Sequence, residues 1–387
     1  MNEVNKTLYI PLYGKSEVSK KGIILEDKTA EAIWQAQQKC PNLVTLPAHY
    51  EKYKFYSERL RELYEEYTDK VEPFGLDECW LDLTETIGDR NPCEVADEIR
   101  RRVREEFNLT CSIGVSFNKI FAKLGSDYKK PDATTLISED NFKEIVWSLP
   151  CSDLLFVGRS TTEKLRKVNI RTIGDLAGTD KKFLIKYLGK NGAVLSDYAN
   201  GLDTSEVKSA DYRRTVKSVG NSTTTIKDMS NESEISATYH TLSNTVASRL
   251  RKYGLKGNVV QITVRDKELA IYEKQRILGR PTDNSNDIYK AAMLLFKESY
   301  DWHCSVRSIG VRVTNLVEKD APEQLSLFDE INKNEKNDKL ERTLDKIKER
   351  YGKNSVMICA ELSQHNNLNE PPKGTFLRDN NHLNDLK

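Results

Sequence analysis

The run Phe74-Gly75-Leu76-Asp77-Glu78-Cys79-Trp80-Leu81-Asp82-Leu83-Thr84 sets two adjacent carboxylates, Asp77 and Glu78, inside an apolar stretch that reads as a β hairpin. Adjacent acids in such a setting are costly unless a positive charge meets them. A divalent cation is the natural solution, because Mg²⁺ takes a few carboxylates and completes its shell with waters and substrate phosphates. Phosphoryl transfer often uses two such ions, one activating the attacking oxygen and one holding the leaving phosphate. A hairpin tip with two solvated acids has the same pattern, so the hairpin alone leaves both readings open.

A second run, Cys111-Ser112-Ile113-Gly114-Val115-Ser116-Phe117-Asn118-Lys119-Ile120-Phe121-Ala122-Lys123-Leu124-Gly125-Ser126-Asp127-Tyr128-Lys129-Lys130-Pro131, reads as a strand, a turn at Ser116 and a helix from about Asn118. Lys119, Lys123 and Lys130 hang off that helix and the loop after it. Lysines beside a metal-bound triphosphate would neutralise its charge. An ordinary surface helix would carry lysines too.

The elements that position these groups follow from periodicity. Charged and apolar residues alternate with helical spacing from Glu58 to Tyr67, and Val71 to Leu83 is strand-like. Pro92 opens a helix whose apolar positions Val95, Ile99, Val103 and Phe107 recur every four residues and so share one face. Thr110 to Val115 and Thr134 to Ile137 read as strands around the lysine-bearing helix. Strands alternating with helices predict a mixed α/β layer from about 57 to 150. Residues 152–208 read as helical with glycine turns, and residues 209–216 as a polar linker carrying Arg213 and Arg214. Beyond it come strands (Asn258 to Val264, Ser308 to Thr314) and helices (Ala237 to Lys252, Ile288 to Ser299), then a polar tail with one helix from Lys336 to Tyr351 bearing Leu340, Leu344 and Ile347 on its face.

Composition bounds the function. The 387 residues allow two to four domains. Lys+Arg and Asp+Glu nearly cancel to a net +1, yet Tyr212 to Asn315 holds 17 basic against 10 acidic residues, a surplus of seven. A basic segment in a balanced chain suits a polyanion-binding module, and equally a solvated surface. No apolar run approaches the roughly 20 residues that span a bilayer, and the N-terminus lacks the order of a signal peptide. The seven cysteines are scattered, with no Cys-x-x-Cys pair, which argues against a zinc knuckle or a disulfide framework. The expectation is a soluble protein of a reducing compartment, the cytoplasm.

Taken together, the two runs resemble the palm of the Y-family DNA polymerases, the translesion enzymes. Asp77 and Glu78 match the family's Asp-Glu pair. Asn118, Lys119, Ala122, Lys123, Lys130 and Pro131 match its Asn-Lys-x-x-Ala-Lys and Lys-Pro elements. Cys40-Pro41-Asn42-Leu43-Val44, with Tyr50 and Tyr53, resembles the approach to the palm. Downstream, Val157-Gly158-Arg159 through Leu165, then Ile170-Arg171-Thr172-Ile173-Gly174-Asp175-Leu176, resembles the helix-hairpin-helix of the family's thumb. A glycine turn before a helix start exposes backbone N–H groups that bind phosphate without reading bases. Lys217-Ser218-Val219-Gly220 resembles the opening of the little finger, and Val306-Arg307-Ser308-Ile309-Gly310-Val311-Arg312-Val313 its final strand. Gln324-Leu325-Ser326-Leu327-Phe328 resembles the short peptide by which bacterial polymerases dock on the sliding clamp.

The resemblance implies an α+β multidomain fold. Residues 1–34 would be a non-family leader, 35–150 an incomplete palm with a remnant of the fingers, and 151–208 a helix-hairpin-helix thumb. Residues 209–216 would be a linker, 217–317 a DNA-binding little finger of sheet plus two helices, and 318–387 a polar tail. It implies template-directed nucleotidyl transfer with Mg²⁺ on Asp77 and Glu78, and triphosphate contacts at Lys130 and Lys123. DNA contacts would fall at Gly158, Lys164, Lys217, Ser218, Arg307 and Arg312, and clamp contacts at Gln324, Leu325, Leu327 and Phe328. The partners would be primer-template DNA, deoxynucleoside triphosphates and the sliding clamp, with no membrane, and the chain a monomer. The family's opening strand, with its metal-binding Asp and aromatic run, has no counterpart in residues 1–34, which resemble instead the leader of S-adenosylmethionine-dependent methyltransferases. No Gly-rich cofactor loop follows, so no methyltransferase activity is expected. The palm sheet is therefore expected to lack a central strand, for which Ile23-Ile24-Leu25-Glu26-Asp27 is the candidate replacement. The competing expectation is a DNA- and clamp-binding remnant without chemistry.

Overall fold

The computed structural model describes residues 7–13, 33–43, 49–212, 215–322, 331–352 and 355–356. They divide into two compact units, one holding residues 7–13 and 49–212, the other residues 33–43 and 215–356 as described.

In chain order the first unit comprises β1 (Thr7–Tyr13), then, after α1 (Ile33–Lys39) of the other unit, α2 (Tyr50–Glu65), β2 (Val71–Pro73), β3 (Glu78–Asp82), α3 (Pro92–Phe107), β4 (Thr110–Cys111), β5 (Ile113–Ser116), α4 (Lys119–Tyr128), β6 (Thr134–Ile137) and α5 (Phe142–Val146). Four helices follow: α6 (Arg159–Lys167), α7 (Ile173–Gly178), α8 (Lys181–Leu188) and α9 (Lys190–Ala199). The sheet order is β2-β3-β1-β5-β6, with β4 pairing β1.

The predicted gap at the sheet centre is not there. β1 lies antiparallel to both neighbours, with Leu8 opposite Leu81 and Val115, and Tyr9 opposite Trp80 and Gly114. Two facing strands with open edges leave rows of unpaired N–H and C=O groups that any β-forming segment can satisfy. Thr7-Leu8-Tyr9-Ile10 is such a segment. The segment proposed for that place, Ile23 to Asp27, lies outside the described residues.

Local signals account for the elements around the sheet. Asn91 caps α3, its side-chain oxygen accepting from the Cys93 N–H at 2.9 Å, and Pro92 takes the first turn. The spacing of four then buries Val95, Ile99 and Val103 under the sheet; each such burial contributes about 1.5–3 kcal/mol. Helix α4 lies directly on β5 because Gly114 has no side chain: a Cβ there would stand 1.8 Å from the Ala122 carbonyl oxygen. Helices α6–α9 share one apolar cluster with α4 and β6, in which Phe121, Ile137, Leu165, Ile173 and Leu195 are fully buried.

In the second unit, β7 (Ser218–Met229), α10 (Glu232–Lys252), β8 (Leu255–Asp266), β9 (Ile271–Thr282), α11 (Ser285–Ser299) and β10 (Val306–Glu318) form a sheet ordered β7-β10-β8-β9 with two helices, and α12 (Ile331–Tyr351) follows. The sheet's inner face (Val219, Val260, Ile262, Val264, Ile309, Val311, Val313) meets Tyr239, Leu242, Val246, Ile288, Ala292 and Phe296 from α10 and α11. Strand β9 went unpredicted because its residues 273–277 are all exposed, so no apolar alternation marks it. Helix α12 keeps two of its three apolar positions, Leu344 and Ile347, half-buried and adds polar contacts beside them. Leu340 is exposed, and Glu341 and Asp345 grip Arg251, whose Nε lies 2.6 Å from Asp345 Oδ2.

Candidate active site

The hairpin β2–β3 turns at Phe74–Asp77, with Gly75 at φ +90° and the Phe74 N–H donating to the Glu78 carbonyl at 2.7 Å. That φ favours glycine. The turn leaves Asp77 at the solvent-exposed tip and Glu78 as the first residue of β3, facing helix α4.

Helix α4 starts at Asn118, whose side chain accepts from the Phe121 N–H at 2.8 Å and donates to the Gly201 carbonyl at 3.3 Å. One turn later Lys123 places Nζ 2.9 Å from Glu78 Oε1 and 2.9 Å from Asp127 Oδ2. Asp127 also receives Lys130 Nζ at 2.6 Å. Glu78, Lys123, Asp127 and Lys130 thus form one continuous run of alternating charge from β3 to the loop after α4, with Asp77 next to Glu78 at the hairpin tip. Sequence reasoning proposed four of the five. Asp127 was missed, although its position four after Lys123 and three before Lys130 puts it on their helix face.

The electrostatics set the acids apart. Crowding by protein atoms, then the Glu78 carboxylate, raises the Asp77 pKa above the usual carboxylate range. Burial raises Asp127 too, against the pull of Lys123. For Lys123, burial works downward, but the Asp127 and Glu78 carboxylates outweigh it and the pKa rises. Burial lowers Lys130. A cation beside the two acids would favour the ionised form of both.

Two carboxylates fit one hard divalent ion whose other positions go to water and substrate phosphate. A second ion requires more donors. Among the described residues no third His, Cys, Asp or Glu joins Asp77 and Glu78 in a metal-sized group. Across the ladder from Glu78 stands Pro11, which has no donor side chain.

Not every lysine of the motif belongs to this run. Lys119 is buried, its Nζ 2.7 Å from Glu72 Oε2 and 4.5 Å from the centre of the Trp80 ring. The Trp80 indole N–H donates to the Lys119 carbonyl at 2.9 Å, and the Lys208 backbone N–H donates to Glu72 at 2.9 Å.

The expected DNA contacts are spread over both units. Gly158 caps α6 in an extended, exposed conformation, with no acid in the first turn, and Lys164 is exposed on the same helix. In the second unit Lys217 and Arg312 are exposed, and Ser218 is half-buried. Gly220 makes room for Arg312, since a Cβ there would stand 2.9 Å from the arginine's own. Arg307 is exposed but already paired with Asp228 at 3.1 Å. On the β8 side, Val306 and Ser308 face consecutive residues, Asp266 and Arg265, so Arg307 is the extra residue of a β-bulge. The clamp-like residues Gln324 to Phe328 lie outside the described residues.

Comparison with known proteins accords with this geometry. Residues 17–127 match the impB/mucB/samB family, and residues 216–327 match that family's C-terminal domain. The first match begins within the segment set apart above as a leader. The DNA polymerase IV of Acetivibrio thermocellus is 46% identical over 332 residues, spanning 85% of this chain and 83% of that one. DNA polymerase IV 1 of Bacillus subtilis is 35% identical over 340 residues, spanning 87% and 81%. Among solved structures, a Y-family DNA polymerase chimera of Dbh and Dpo4 superposes with a TM-score of 0.67 at 20% identity, over 81% of this chain and 99% of that one, which speaks for the fold. With both matches in order and relatives aligned along most of its length, the chain belongs to the impB/mucB/samB family, the Y-family DNA polymerases.

Proposed function

We propose that this chain is a DNA-directed DNA polymerase that extends primers in translesion synthesis and DNA repair. The observation that carries the reading is the charge run from Asp77 through Glu78, Lys123 and Asp127 to Lys130, which joins the β2–β3 hairpin to helix α4. In this reading Asp77 and Glu78 hold Mg²⁺, which when bound activates the primer hydroxyl and offsets charge on the transferred phosphate. Lys130 and Lys123 exchange the Asp127 and Glu78 carboxylates for triphosphate oxygens, and Asp127 keeps both ammonium groups on one side of the helix. The α6 N-terminus at Gly158, with Lys164, takes template or primer phosphates as a helix-hairpin-helix thumb. Lys217, Ser218, Arg307 and Arg312 form the little-finger contact, and Gln324, Leu325, Leu327 and Phe328 dock on a sliding clamp. The chain acts as a cytoplasmic monomer; none of the described helices is long and apolar enough to cross a membrane.

One observation favours a second reading, a module that grips DNA and clamp without chemistry. Pro11 faces Glu78 where the family's opening strand would bring an acid, and no third carboxylate joins the pair among the described residues. Primer extension on undamaged template, with Mg²⁺ and all four deoxynucleotides, decides between them. Extension that Asp77→Ala/Glu78→Ala abolishes supports the polymerase. No extension with primer-template binding intact supports the module.

A further inference from the structure

The second unit carries a group of ligating side chains that polymerase chemistry does not use. Asp266 ends β8 and is 1% exposed. His303 and Cys304 lie in the loop between α11 and β10. One ligand atom from each of the three lies within 4.8 Å of the other two, the only such His, Cys, Asp or Glu group among the described residues.

The arrangement is built rather than incidental. The Lys267 N–H donates to the Ser305 carbonyl at 3.0 Å, tying the β8–β9 turn to the loop that bears His303. The Ala270 N–H donates to Asp266 Oδ1 at 2.9 Å, which leaves Oδ2 pointing at His303 Nε2, 3.2 Å away. On the far side of the imidazole, Nδ1 is 2.6 Å from Asp301 Oδ1. Two carboxylates therefore face the two nitrogens of one ring. The Tyr272 hydroxyl lies 3.1 Å from the same Nε2 and 3.5 Å from Asp266 Oδ2. With the Nδ1 hydrogen given to Asp301, Nε2 and Asp266 are therefore joined by a second ring proton, by the Tyr272 hydroxyl or by a metal ion. A carboxylate behind a ligating histidine is the usual support of a zinc site, fixing the tautomer and the ring plane. Ligand atoms held tetrahedrally at about 2.0–2.3 Å from zinc lie roughly 3.3–3.8 Å apart, which the Nε2–Oδ2 separation already approaches. Tyr300 holds the Cys304 carbonyl through its hydroxyl at 2.8 Å, with Cys304 Sγ at 3.6 Å from the same oxygen. An open cleft of about 410 Å³, lined in part by Tyr272, Asp301 and His303, gives solvent access.

We propose that Asp266, His303 and Cys304 form a zinc site in the second unit, with Asp301 orienting His303 and a water as fourth ligand. One nitrogen, one sulfur and one oxygen suit zinc, whereas Mg²⁺ takes oxygen alone. The site would clamp the β8–β9 turn to the α11–β10 loop at the end of the sheet. The metal-like spacing escapes sequence inspection because Asp266 lies far along the chain from His303-Cys304 and no Cys-x-x-Cys is involved.

The test uses the full chain, stripped with a chelator and titrated with Zn²⁺ alone. The expected result is one equivalent bound at micromolar concentration or tighter, unchanged in Asp77→Ala/Glu78→Ala. His303→Asn and Cys304→Ser should each weaken binding by about ten- to a hundredfold, and Asp301→Asn by about tenfold. Co²⁺ should give a thiolate charge-transfer band that Cys304→Ser abolishes. Should a variant fail to fold, the unaltered chain still decides: Zn²⁺ should protect Cys304, but not the partly exposed Cys93, from alkylation. Absence of stoichiometric uptake, uptake indifferent to both ligand substitutions, or alkylation of Cys304 unaffected by Zn²⁺ overturns the proposal.

Discussion

Two acid–lysine couplings join the same hairpin to the same helix, four residues apart on α4, and they do opposite work. Glu72 and Lys119 meet at 2.7 Å with each side chain about 10% exposed, under the Trp80 ring and the Lys208 N–H. Glu78 and Lys123 meet at 2.9 Å, and there the charge run continues through Asp127 to Lys130 and the tip acid Asp77. In the first pair each charge is satisfied by protein and nothing is left for a ligand. In the second, three acids and two lysines share a solvent-facing ridge, and Asp77 is held from ionising freely. The second unit repeats the contrast. Arg251 is consumed by Glu341, Asp345 and the Asp283 carbonyl, while Arg312 stands exposed on the open sheet. Residue type says little about which charges are structural; enclosure decides.

The largest effect should come from the outer charge run, and on activity alone. Asp77→Ala/Glu78→Ala should lower primer extension by about a thousandfold or more, by analogy with the removal of transition-state charge stabilisation. The same variant should unfold within about 1 kcal/mol of the parent, since Lys123 keeps Asp127 as its partner and the repulsion between two adjacent acids is removed. A large loss of stability would erase the distinction drawn here. Next, Lys119→Met should cost about 3–5 kcal/mol in denaturant unfolding, because it strands Glu72 without its cation. Glu72→Gln in the same chain should recover part of that loss, and a double-mutant cycle measures how much. If Lys119→Met were neutral, the inner pair would be no more structural than the outer one.

Smaller effects test the sheet. Arg312→Glu or Lys217→Glu should weaken primer-template binding by about tenfold at moderate salt and reduce the slope against salt by about one, with little sequence dependence. Unchanged affinity would move the basic face elsewhere. Arg307→Ala should do less, since Asp228 already neutralises that side chain. The smallest effect concerns the cap of α7. The Thr172 hydroxyl accepts from the Asp175 N–H at 3.0 Å, and Asp175 accepts back from the Thr172 N–H at 2.9 Å. Thr172→Ala should cost about 1 kcal/mol. The Thr172 and Arg171 N–H groups hold the Asp175 carboxyl below its usual pKa. Its contribution is therefore complete above the unfolded-state value and fades as pH falls through the folded one, so Asp175→Asn should flatten the acid limb of the stability curve.

Most of the element order was legible in the residues. The spacing of four marked α3, and its buried positions Val95, Ile99 and Val103 are those expected. The alternation in β10 marked its inner face, and the Asp-Glu and lysine motifs pointed to the elements that carry the charge run. What failed did so for particular reasons. β9 has no buried face over residues 273–277, so a period of two had nothing to display. A regular strand would put Arg307 and Arg312, five residues apart, on opposite faces. The bulge at Arg307 leaves Val306 and Ile309 both buried and both arginines exposed, and a bulge leaves no trace in an alternation pattern.

The sequence by itself determined which residues could do chemistry, because a local run of types and spacings is enough to name a hairpin of acids and a helix of lysines. Only the tertiary structure decided how those charges are used. It enclosed Lys119 and left Lys123 at the ridge, drew Asp127 between two lysines, and brought Thr7–Tyr13 into the centre of the sheet. It also set Asp266, at the end of β8, beside His303 and Cys304 in the loop before β10. The physical reason is common to all of these. Desolvation and pairing depend on which atoms surround a group in space, and those neighbours come from distant parts of the chain.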